Sequence, residues 1–209
     1  MAEILALTGY SVLLINLVLF AYKIQYNKTA PYRIFTLYTA IILIIQVASY
    51  TLSYYKVHNL FLSHFYFILQ FILLSLFYHA LLKEKFQKKI VKMGLATVLL
   101  ALSIQYTLIP GLFFKFNLFE IFLTSFTLII FSTFHFYNLL NQKKEFYYIN
   151  SGILVYLFGS TVLFLTGNLV SSLSSEVNTI TWTLNAFLYV IYQLFVLVEC
   201  AKFSRFNYK

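Results

Sequence analysis

The stretch from His58 to Lys92 constrains this chain more than any other. It reads HNLFLSHFYFILQFILLSLFYHALL and then KEKFQKKIVK. A run of apolar and aromatic residues from Asn59 to Leu82, with few polar interruptions, leads straight into five lysines. As a helix, 24 residues reach about 36 Å. The hydrocarbon core of a bilayer is about 30 Å thick, so the run is long enough to cross it. Clustered lysines close to a span end hold that end in the cytoplasm. The stretch is therefore expected to be a membrane-spanning helix directed from outside to inside.

The rest of the chain repeats this design. Of 209 residues 61% are hydrophobic and 10% charged, whereas a soluble domain carries about 25% charged residues. Seven apolar runs are expected as spans, at about 4–22, 34–55, 59–82, 90–109, 116–140, 147–167 and 179–200. The predicted fold class is all-α: a polytopic membrane protein forming one bundle of seven transmembrane helices. Thirteen of the fifteen Lys and Arg residues fall in the first, third and fifth links and the tail, and only Lys56 and Lys115 on the other side. That split predicts an N-terminus outside, a C-terminus in the cytoplasm, and a multi-pass place in the plasma or bacterial inner membrane. Two loops stand out: a basic one at Lys83–Lys89, and a Ser-rich one at Asn168–Asn178. Ile4–Tyr22 is expected to be a retained helix rather than a signal peptide, because no small-residue cleavage site follows it.

The net charge of +9 does not argue for nucleic acid, because the lysines sit in gaps between apolar runs and form no stripe. They set topology and attract anionic headgroups. Membrane lipids are thus expected partners, joined by an apolar small molecule and by a cytoplasmic or membrane protein. A lone cysteine, Cys200, excludes an internal disulfide and a Cys-based metal cage. Four histidines without HxxxH or HExxH spacing give no metal signal. No G-x-S-x-G elbow is present, and no catalytic constellation is visible. Seven helices with an outside N-terminus share their topology with opsins. A covalent retinal needs a lysine in the middle of the seventh helix, and 179–200 contains none, so no cofactor is expected.

Polar side chains inside a bilayer are costly and are the first functional candidates. At about 100° per residue, Thr181, Asn185, Tyr189, Tyr192 and Glu199 share a face. So do His64, Ser75, Tyr78 and His79, and likewise Glu120, Thr124 and Thr127. Thr39, Gln46 and Ser53 repeat at seven. Hydrogen bonding between helices accounts for most such stripes. Two layers go further. The outer one, with ligand-binding or proton-linked character, holds His64 and Glu120, each expected about five residues inside its span, together with Asn185 and Trp182. Gln46 and Tyr189 lie on the path inward from it. The inner one holds His79, His135 and Glu199. Each buried acid thus has a histidine at matching depth, and pairing lowers the cost of burial.

The functional expectation is a sensory or receptor-like, ligand-binding module that signals to a cytoplasmic partner through the Lys83–Lys92 loop and the tail at 201–209. The alternatives are a small transporter or channel, and a structural subunit of a membrane complex. Internal repeats and helices broken by Gly or Pro, which many transporters show, are missing from the sequence.

Overall fold

A computed structural model describes residues 1–141, 143–171 and 175–206, with side chains described except over 168–177 and 203–206. Among these residues the chain is all-helical. The helices are α1 (Ala2–Lys23), α2 (Ala30–Tyr54), α3 (Phe61–Leu81), α4 (Lys85–Leu108), α5 (Leu118–Leu139), α6 (Tyr147–Ser171) and α7 (Ser175–Phe206), with a 3₁₀ turn at Pro110–Phe114 between α4 and α5. All seven α-helices are long and apolar enough to span a membrane.

Several ends follow from local chemistry. Asn27 Oδ1 accepts from the Thr29 N–H at 3.2 Å and the Thr29 hydroxyl at 2.8 Å, making a turn just before Pro31 opens α2. At the far end of α2, Val57 N–H bonds Leu52 O and Lys56 N–H bonds Ser53 O. This is a Schellman ending with Lys56 in the left-handed position, φ 56°. Asn59 Nδ2 then ties the link back to Ser49 O at 2.9 Å. Pro110 stops α4 and starts the 3₁₀ turn.

Two boundaries differ from expectation. The basic loop expected at 83–89 shrinks to three residues, because α4 begins at Lys85 and takes in Lys85, Lys88 and Lys89. Lys, Glu and Gln are good helix formers, so the helix continues out of its apolar run. The Ser-rich loop expected at 168–178 is helical at 168–171 and at 175–178, because α6 runs to Ser171 and α7 starts at Ser175; residues 172–174 lie outside the described residues.

The chain divides into two compact units. One comprises residues 24–135, and the other joins residues 1–23 to residues 136–209. In the 24–135 unit α2 packs on α3 and α3 on α4. Its core is aromatic: Phe35 meets Tyr38 and Phe77 at ring centroid distances of 5.4 and 5.5 Å, and Gln70 Nε2 donates to the Tyr38 hydroxyl at 3.1 Å.

In the discontinuous unit α7 packs on both α1 and α6. Asn16, fully buried in α1, donates to the carbonyl and the side-chain oxygen of Gln193 at 2.9 and 3.0 Å. Close approach is allowed by glycine. A Cβ on Gly152 would lie 2.8 Å from Phe195 Cβ, and one on Gly159 2.6 Å from Leu188 Cδ1. On α1, a Cβ on Gly9 would lie 2.7 Å from the Tyr189 ring.

Candidate functional site

The polar centre of the 24–135 unit is assembled at the starts of two helices. Asn117 precedes α5 and accepts the Glu120 N–H on its side-chain oxygen at 3.3 Å. Asn-x-x-Glu is the spacing of a capping box, in which the acid at the third helical position would reach back to the cap residue. Here the carboxylate turns elsewhere. Glu120 Oε2 lies 2.6 Å from His64 Nδ1, and the Tyr106 hydroxyl donates to the same oxygen. Tyr106 Oη also lies 2.8 Å from Nδ1 and accepts from Asn117 Nδ2 at 3.1 Å. Asn117 Nδ2 reaches Gln105 Oε1 at 3.0 Å as well. The side chains of α3, α4 and α5 thereby close one network.

His64 and Glu120 are 1% and 0% exposed. They sit at the fourth residue of α3 and the third of α5, not five residues inside their spans as expected, because Asn117 starts α5 two residues later and α3 begins only at Phe61. Their burial comes from aromatic cover rather than depth. Phe113, on the 3₁₀ turn, stacks on the His64 imidazole with centroids 5.4 Å apart and planes at 26°. Phe61, Phe65 and Tyr106 surround Phe113 at 6.5, 5.9 and 6.3 Å.

With the carboxylate ionised, Oε2 accepts from both Nδ1–H and the tyrosine hydroxyl, which fixes one hydrogen on Nδ1. Two buried atoms then remain without a hydrogen-bond partner, His64 Nε2 and Glu120 Oε1. A protonated imidazole balances the carboxylate charge, whereas a neutral one leaves a net negative charge among aromatic rings. The centre can therefore hold a proton or offer two unused polar atoms to a bound group. Among the described residues no three His, Cys, Asp or Glu side chains gather as a metal site.

The remaining candidates lie elsewhere. Gln46 is half-buried on α2. Asn185, Trp182 and Tyr189 belong to the discontinuous unit. There Trp182 is exposed and touches Phe164 at 5.5 Å. Tyr189 is buried in a tyrosine cluster with Tyr10, Tyr156 and Tyr192, and Asn185 is half-buried. In the expected inner layer, His79 is half-buried and His135 buried, both within the 24–135 unit. Glu199 has a different task from the one expected. Its Oε2 accepts the N–H groups of Tyr148 and Ile149 at 2.7 and 3.4 Å, so it caps α6 from the neighbouring helix. Beside it Lys202 Nζ donates to the Tyr148 hydroxyl at 2.6 Å and lies 4.2 Å from that ring's centre.

Three members of the polar stripes, Thr39, Thr124 and Thr127, donate to carbonyls of their own helices at 2.7–2.8 Å, where bonding between helices was expected. Tyr106, Asn117, Gln105 and Phe113 were not among the sequence candidates. The Asn117-x-x-Glu120 spacing was the readable signal for one of them. Asn16, a lone amide in an apolar helix, was another legible mark. No family model, curated protein or solved structure matches the chain.

Proposed function

We propose that this chain is a receptor-like integral membrane protein of seven spans. Its N-terminus is outside, its C-terminus cytoplasmic, and its ligand- or proton-linked centre is the His64–Glu120 pair. Binding there would shift α3 and α5 where they meet, and the inner helix ends would carry that movement to a cytoplasmic partner. One observation carries the reading: two ionisable side chains are fully buried and locked to each other and to Tyr106, yet each keeps a polar atom without a partner. Ionisable groups in spans are costly and rare, and are functional-site candidates by default. A rigid, pre-formed polar cluster in an apolar, aromatic setting suits ligand orientation.

The test is purification from native membranes in mild detergent, followed by mass spectrometry of what travels with the protein. A stoichiometric small molecule retained by wild type and lost from His64→Ala and Glu120→Gln is expected. Melting curves would confirm that both variants are folded. Equal retention by folded variants would overturn the assignment of this centre. A stoichiometric membrane protein in place of a small molecule would make the chain a subunit instead.

A further inference from the structure

The lysines of α4 form a surface that stands apart from the His64 centre. In the first turns of α4, Lys85, Phe86, Lys89, Lys92 and Met93 are all exposed, with Phe86 at 74% and Met93 at 58%. At about 100° per residue they span an arc of about 120°. Gln87, Val91 and Val98 are buried on the opposite side, so the exposed face has a fixed direction. Lys83 and Lys88 flank it, and Glu84 is the only acid between Lys83 and Lys92.

Depth decides what this face meets. The apolar part of α4, from Ile90 to Leu108, measures about 28 Å, matching the hydrocarbon core. The residues from Lys85 to Lys89 then rise about 7 Å beyond it. A headgroup layer is about 5–8 Å deep on each side. Lys85, Phe86 and Lys89 thus stand at headgroup level, and the flexible stem of Lys92 reaches that level from one turn below. Phe86, bare between lysines, suits the interface, where an aromatic ring meets acyl chains while the amines face phosphates. A water-soluble partner would have to displace lipid to reach the outward side of a helix at this depth. For these reasons we propose that the exposed face of Lys85, Phe86, Lys89 and Lys92 is a docking surface for anionic phospholipid headgroups, with the lipid chains lying along Met93.

The experiment reconstitutes the full chain with phosphatidylcholine and phosphatidylglycerol in equal amounts and counts retained lipids by native mass spectrometry. Phosphatidylglycerol is expected to be retained at least tenfold over phosphatidylcholine. Each lysine lost should lower that preference about fivefold at low salt, so K85Q/K89Q/K92Q should abolish it. K143Q/K144Q, which removes the same kind of charge from the link between α5 and α6, should keep it, and Phe86→Ala should reduce it. Equal preference in wild type and the lysine triple variant would overturn the proposal. So would full loss in K143Q/K144Q, which would mark a general charge effect. Competition by millimolar inorganic phosphate as strong as that by lipid would mean that free phosphate, not a headgroup, is bound. Stoichiometric recovery of a protein whose binding is lost in the triple variant would assign the face to that protein. Should the triple variant fail to fold, amine labelling of wild type decides: phosphatidylglycerol should protect Lys85 and Lys89, and unchanged labelling would overturn the proposal.

Discussion

At Glu120 two local rules compete. Its position three residues after Asn117 invites the carboxylate to close a capping box, whereas the structure turns it to His64 and Tyr106. The cap is still partly made, because Asn117 holds the Glu120 N–H. The carboxylate is thus left for the network without stripping the helix start of its partners. Removing half of a buried ion pair leaves the other half uncompensated, so Glu120→Ala should cost about 3–5 kcal/mol. Tyr106→Phe removes one hydrogen bond to a charged group and should cost about 2 kcal/mol. Melting in one detergent checks both. A Tyr106→Phe variant as stable as wild type would show that the hydroxyl contributes nothing to the network. Sequence reading reached His64 and Glu120 because ionisable groups in apolar runs are conspicuous. It missed Tyr106 and Phe113 because aromatic residues are everywhere in this chain, and nothing local tells a tyrosine that caps a carboxylate from one that fills a core.

Elements were legible in existence and less so in their ends. Seven apolar runs became seven helices, but α4 and α7 extend past their apolar parts, because hydropathy marks the hydrocarbon and not the hydrogen-bonded helix. Glu199 shows the same limit: its partners are N–H groups 50 and 51 residues away, a relation no window of sequence contains. Glycines on α6 give a test of packing between elements. A methyl at Gly152 would press on Phe195 Cβ and Tyr192 Cδ2, at 2.8 and 2.9 Å, close to the partner backbone. At Gly159 it meets only the movable end of Leu188. Gly152→Ala should therefore cost about 1–3 kcal/mol as an overpacked contact, and Gly159→Ala clearly less. Denaturant melts of the two variants side by side check this, and the reverse order would mean that α6 and α7 pack in another register.

For the whole molecule, charge placement is the property read furthest from sequence. The sidedness it implies is directly measurable. Single cysteines introduced at Val57 and Lys143, in a Cys200→Ser background, should react with an impermeant thiol reagent from opposite sides of intact cells, Val57 from outside. Labelling of both from one side would break the seven-span topology. The division into two units carries a consequence of another kind, one of timing. The partner of Asn16 is Gln193, 177 residues later. Chains grow at about 5–20 residues per second, so α1 must wait on the order of ten to thirty seconds with a carboxamide in an apolar helix. During that interval the amide is open to any other helix that passes. Helix α1 thus waits for a partner made long after it, and the 24–135 unit has its own core available while the ends of the other are still apart. A slow ribosome, or a crowded insertion site, would endanger the outer pieces of this protein long before it troubled the middle.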